Sequence, residues 1–88
     1  MTGVARTAQD RTGGLIIGVL APNVYVENTP IVVQGAQITP YGDDCKAAPI
    51  TGTGSSTVFA NGLPVNRAGD TDICGTPISP GAGSVFAG

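Results

Sequence analysis

Two cysteines, Cys45 and Cys74, and six carboxylates are the side chains of this 88-residue sequence with most chemistry to offer, and no histidine accompanies them. The usual general base near neutral pH is therefore missing. Glu27 is the sole glutamate, and no Gly-x-Ser-x-Gly elbow presents a nucleophile. Gly52-Thr53-Gly54-Ser55-Ser56 is similar to a phosphate-cradling loop only in its small residues, because no lysine and no helix follow it, so it reads as a turn. The expectation is a protein that is not an enzyme. The cysteines admit three readings. A disulfide, the favoured one, closes a loop of about 30 residues and stabilises by about 3–4 kcal/mol in the loop-entropy picture. A metal held by both thiolates needs further donors from Asp43, Asp44, Asp70, Asp72 or water, an unusual set for zinc beside four nitrogen or sulfur ligands. Two buried thiols would act as small hydrophobes.

The elements that must position these residues are short. With 14 glycines and 7 prolines, no stretch keeps a clean helical period, which leaves strands and turns and an all-β fold. A domain of this size buries a thin core and needs an added constraint such as a disulfide, a metal or docking onto a larger partner. Only 11% of residues are charged and the net charge is −2, which offers no basic patch and excludes nucleic acid as a partner. The 41% of hydrophobic residues fall in regular short runs, which argues for packing over disorder. No secretory leader opens the chain, and the apolar run Leu15 to Ala21 is far too short to cross a bilayer. Synthesis in the cytosol, followed by export through assembly, is the expectation.

The chain repeats itself. Ile16, Gly18, Val24, Pro30 and Gly35 coincide with Ile50, Gly52, Val58, Pro64 and Gly69 at a common spacing of about 34 residues. Each unit reads as an apolar run, a turn, an aromatic-centred strand, a polar turn and a second strand. Asn61-Gly62 suits a type I′ hairpin, and Asn28-Thr29 takes the same place with a poorer pair. A third copy begins at Ile78, reaches Val85-Phe86-Ala87 and stops at Gly88. Its second half is expected at the N-terminus, where Gly3-Val4-Ala5-Arg6 resembles Pro64-Val65-Asn66-Arg67. The units run approximately over residues 14–45, 48–74, and 76–88 completed by 1–12, all within one domain, 1–88. Such closure gives pseudo-threefold internal repeats and hides strand edges.

The segment Val58-Phe59-Ala60-Asn61-Gly62-Leu63-Pro64-Val65-Asn66-Arg67-Ala68-Gly69-Asp70 resembles the PAAR-repeat signature, V-F-V-N-G followed by P-A-A-R and G-D. Cys74-Gly75 and Pro77-Ile78-Ser79-Pro80-Gly81 extend the likeness, and Thr12-Gly13-Gly14 with Pro22-Asn23-Val24-Tyr25-Val26 resembles the family's H-G-G and S-P-N-V-F-V. Pro64, Arg67, Gly69 and Asp70 form the structural motif, with Arg67 and Asp70 a candidate local pair. Arg6 shares the slot of Arg67, and Val33 replaces arginine in the first unit.

The resemblance implies a cone-like PAAR-type fold of short strands and hairpins whose base caps a trimeric β-helical spike, one cap per trimer, and whose vertex pierces an envelope. The expected function is the structural tip of a contractile phage tail, a monomer on the distal end of the virion spike with transient contact to the target membrane. The alternative is an adaptor that links a secreted effector to a type VI secretion spike, itself secreted through that system. Phage is favoured because Gly88 follows the last repeat strand with no linker. Tyr25, Phe59 and Phe86 share one slot of the three units; simple core packing or a spike-facing base are their two readings. The resemblance also implies a metal near the vertex, held by three His and one Cys, and here Thr12 stands where a His is expected. Thr12, Cys45 and Cys74 reach comparable spots of their units, so Cys45 and Cys74 are expected to converge at the vertex. No cofactor is the first expectation, with zinc or iron at Cys45 and Cys74 the other.

Overall fold

The computed structural model describes residues 2–43 and 45–88. Asn61 and Gly62 take φ values of 51° and 80°, the left-handed pair that a two-residue type I′ loop requires. They join β4 (Phe59–Ala60) to β5 (Leu63–Pro64), with Phe59 opposite Pro64. In the first hairpin Glu27 and Asn28 hold the positive φ values, 51° and 66°. They join β2 (Tyr25–Val26) to β3 (Thr29–Pro30), with Tyr25 opposite Pro30. The turn thus falls one residue before the expected Asn28-Thr29. A β-branched residue is strained at positive φ; Thr29 stays extended and donates its hydroxyl to the Val26 carbonyl at 2.8 Å.

The third hairpin has no turn. β1 (Thr2–Gly3) pairs antiparallel with β6 (Phe86–Ala87), placing Gly3 opposite Phe86. The chain's first residues complete its last strand, as the likeness of Gly3-Val4-Ala5-Arg6 to Pro64-Val65-Asn66-Arg67 predicts. Gly3 is needed for that approach, since a Cβ there would collide with the backbone carbonyl of Ala82. The architecture is all-β, and no helix occurs among the described residues.

Beyond the hairpins each segment gives its backbone groups to another. Ala5 N–H donates to the Asn66 carbonyl (2.9 Å), Asn66 N–H to Val32 (3.0 Å) and Val32 N–H to Ala5 (3.1 Å), a closed ring of three. All three residues are inaccessible to solvent. Bridges Val4–Arg67, Arg6–Ile31 and Val33–Val65 surround the ring. A second cycle runs from Thr7 to Pro30, Gln34 to Pro64 and Ala68 to Gly3. Strands of two residues persist because their remaining donors and acceptors are satisfied by these exchanges.

Two apolar clusters lie along the body, whose extents are 33 × 23 × 21 Å. One joins Val4, Val26, Ile31, Val33, Ala60, Val65 and Ala87 beneath the hairpins. The other joins Ala5, Ile16, Val32, Ala36, Ile38 and Ile78, with Tyr41 packed against it.

The apolar run of the second unit is shifted by one residue from the register expected. The carbonyls of Ile16, Thr51 and Ile78 accept from Ala8, Gly35 and Gly69, so Thr51 and not Ile50 matches Ile16. Thr51 is buried while Ile50 is partly exposed. The Thr51 hydroxyl explains the choice, because it accepts from the N–H groups of Gly35 (3.0 Å) and Ala36 (3.1 Å) and donates to the Val33 carbonyl (3.0 Å). Isoleucine could serve none of these buried backbone groups.

Candidate functional site

Tyr25, Phe59 and Phe86 begin β2, β4 and β6, the first strands of three hairpins with a common register. Alternation along a strand turns the next residue, Val26, Ala60 or Ala87, into the core. The aromatic rings therefore face outward, 62%, 55% and 49% exposed. Core packing is not their role. Each of the three matched hairpins thus carries one half-exposed ring, apolar surface that is costly to leave wet.

The signature residues hold the turn below. Asp70 accepts from Arg67 N–H (2.7 Å), Nε (3.0 Å) and Nη2 (2.9 Å), the local pair anticipated from the sequence. Gly69 supplies the left-handed residue at φ 91°, and the Pro64 carbonyl accepts from Gln34. Arg6 and Asp10 reproduce the three contacts at 2.7, 3.0 and 2.9 Å. Asp10 also accepts from Gly81 N–H. Burial acts to raise the Asp10 pKa, but the Arg6 side chain together with the Gly81 and Arg6 N–H groups wins and holds it below the ordinary carboxylate value. Val33 leaves the first segment without such a pair, and the Thr51 hydroxyl takes over its turn.

At the end remote from the hairpins, Cys45 and Cys74 form a disulfide with Cα atoms 6.1 Å apart. Asp72 lies beside it. One Asp72 oxygen accepts from Cys74 N–H (2.9 Å) and Thr76 N–H (3.0 Å), and the other from the Tyr41 hydroxyl. Burial again pushes the carboxyl pKa up, and the hydrogen bonds from Tyr41 and from the Thr76 and Cys74 backbone bring it below its ordinary value. Tyr41, Gly42, Asp43, Cys45, Cys74 and Thr76 line a cleft of about 190 Å³ here.

A family model described as PAAR motif matches residues 8–80. The chain belongs to the PAAR-motif family. No curated protein matches the chain.

A PAAR chain without histidine cannot assemble the three-His, one-Cys metal set. What it has instead is Cys45, Asp72 and Cys74, whose donor atoms all lie within 4.8 Å of one another. With the sulfurs joined, this group offers one carboxylate; with them apart, it offers two thiolates and a carboxylate, a set able to hold a metal. Thr12 is not the counterpart of the cysteines. Its N–H donates to Gly14 as Ile38 donates to Pro49 and Asp72 to Thr76, so Thr12 shares the slot of Ile38 and Asp72. Of the other candidate donors, Asp43 is on the cleft rim, Asp70 is held by Arg67, and Asp44 lies outside the described residues. Tyr41 and Asp72 were not singled out as partners from the sequence. Asp72-Ile73-Cys74-Gly75-Thr76 does carry a signal, an aspartate whose carboxylate can cap N–H groups two and four residues on.

Proposed function

We propose that this PAAR protein is a non-catalytic tip that caps the trimeric β-helical spike of a contractile phage tail, one chain per trimer. The observation that carries the reading is the face of Tyr25, Phe59 and Phe86. Three hairpins of common register present one aromatic each, and a three-stranded partner meets three similar faces only if a single chain supplies them. Docking removes the rings from water and covers the open strand ends of the spike, which would otherwise be free to pair. The opposite, cross-linked end then leads through the target envelope, touches its membrane in passing, and keeps its shape because a covalent bond closes it. The working location is the distal tip of the virion spike. Any metal at that end, zinc or iron, belongs to this proposal and to the cysteines in their reduced state.

A second reading, an adaptor joining an effector to a type VI secretion spike, finds support in one flank. Ile17, Val19 and Leu20 are 42%, 42% and 45% exposed, whereas the matching positions of the second segment are Gly52, Gly54 and Ser55. The experiment mixes the purified chain with a trimeric β-helical spike fragment and measures the mass of the product. One cap per trimer is expected, abolished by joint Tyr25→Ser, Phe59→Ser and Phe86→Ser and unchanged by joint Ile17→Ser, Val19→Ser and Leu20→Ser. No complex, or three caps per trimer, would overturn the capping role.

A further inference from the structure

Cys45 and Cys74 share one bond but not one setting. Cys74 is exposed, whereas Cys45 is buried. A disulfide is opened by a thiolate that attacks one of its two sulfurs, and access decides which. The cleft of about 190 Å³ that the cysteines line with Tyr41 and Thr76 gives a small thiol room beside the bond. The two cysteines also sit in turns held by other means. Tyr41 N–H donates to the Cys45 carbonyl at 3.0 Å, and the Asp72 carboxylate caps the N–H groups of Cys74 (2.9 Å) and Thr76 (3.0 Å). Tyr41 then reaches from the first turn to the second, where its hydroxyl donates to Asp72 and meets the Thr76 hydroxyl at 2.8 Å. Breaking the sulfur–sulfur bond therefore leaves the turns joined by hydrogen bonds, with both sulfurs placed to re-form it.

We propose that Cys74 is a thiol-exchange site, which makes the Cys45–Cys74 bond a reversible lock: small thiols open it at Cys74, and Cys45 closes it again under the hold of Tyr41. Outside a cell, where disulfides persist, the cross-linked end stays shut; among the thiols of a reducing interior it opens. The lock is independent of whether the aromatic rings meet a spike.

The chemistry balances as an exchange. The small thiolate bonds to Cys74 Sγ, and Cys45 Sγ leaves with the electron pair of the old bond and takes a proton from solvent. A second molecule of the same thiol attacks the small-molecule sulfur of this mixed disulfide, returns Cys74 as a thiol and departs joined to the first. Two thiols have then given two electrons and two protons to the disulfide of the chain. Reclosure runs the same steps backwards: Cys74 attacks a small disulfide, and Cys45 attacks the Cys74 sulfur of the product, expelling a small thiol.

The test exposes the whole oxidised chain briefly to reduced glutathione, blocks the thiols formed with a maleimide and cuts with trypsin. Cleavage after Lys46 and after Arg67 leaves the two cysteines in separate peptides, residues 12–46 and 68–88. Mass spectrometry should find glutathione on the 68–88 peptide and maleimide on the 12–46 peptide. Of the single variants, Cys45→Ser should take glutathione from its disulfide more than about tenfold faster than Cys74→Ser. Asp10→Asn, which lowers stability without touching the bond, should leave the opening rate unchanged, because attack does not wait for unfolding. Tyr41→Phe should also leave opening unchanged, but should lower the ratio of closed to open chain in a glutathione buffer by at least about tenfold. The open chain should keep its near-ultraviolet circular dichroism. Glutathione on the 12–46 peptide, or equal uptake by the two single variants, would overturn the proposal. So would opening that quickens with Asp10→Asn, a closed-to-open ratio unmoved by Tyr41→Phe, or an open chain that has lost its fold.

Discussion

The two ends of this molecule solve the same problem of a thin core by opposite means. At the hairpin end, three antiparallel strand pairs share one register and carry one outward aromatic each, although the third pair has no turn and the first segment has no arginine–aspartate pair. At the other end the repetition stops: one cysteine follows Tyr41, the other follows Asp72, and a covalent bond joins them. Under the proposed capping role the hairpin end has three faces to offer, whereas the far end needs only to be closed. In this chain the closing link is the Cys45–Cys74 disulfide.

Breaking the link should produce the largest effect. Joint Cys45→Ala and Cys74→Ala is expected to cost about 3–4 kcal/mol, measured by chemical denaturation, and to leave the hairpin end able to bind a spike if the chain folds. Equal stability without the bond would mean that the far end is closed by packing alone. Next come the two arginine–aspartate pairs, identical in geometry and different in setting. Asp10 has no exposed side-chain surface, Asp70 has 12%, and Asp10 alone holds an N–H from the other end of the chain, that of Gly81. Asp10→Asn should cost about 2–3 kcal/mol and Asp70→Asn about 1 kcal/mol. Equal losses would remove the distinction between a pair that ties the two ends of the chain together and one that caps its own turn.

Acid should reach both ends at once. Asp10 and Asp72 have folded pKa values below their ordinary 3.8, so their contribution is fully present above that value and is lost as pH falls through the lower, folded one. Denaturation midpoints should be flat above about pH 5 and decline below about pH 4. A plateau continuing into the acid range would show that these carboxylates gain nothing from folding. Smallest of all should be the effect of Tyr25→Ser, Phe59→Ser or Phe86→Ser on stability, each less than about 1 kcal/mol. A larger loss would mean that the rings support the hairpins as well as face a partner.

Much of the hairpin end was legible in the sequence because its signals are local. Asn61-Gly62 names its own turn, and the resemblance of residues 3–6 to residues 64–67 foretold that the termini meet. The first turn was misplaced by one residue because glutamate rarely adopts positive φ. Glu27 does so here with its carboxylate bound by Arg6 and by Ser84, contacts across many residues that no local rule exposes. The shift at Thr51 was hidden for a similar reason, since aligning isoleucines follows hydrophobicity and the position is chosen for a hydroxyl. The cysteine pairing was legible only as the first of three options. Tyr41 reaches Asp72 across 31 residues, and neither residue type suggests the other.

The ring of Ala5, Val32 and Asn66 has a consequence for how the chain comes apart. A row of bonds can fray from its ends, but a circle of three has no end, and releasing one strand strips a donor from one neighbour and an acceptor from the other. Partial opening of a single segment is therefore penalised twice, and the amide protons of these three residues should exchange together, only when the entire molecule unfolds.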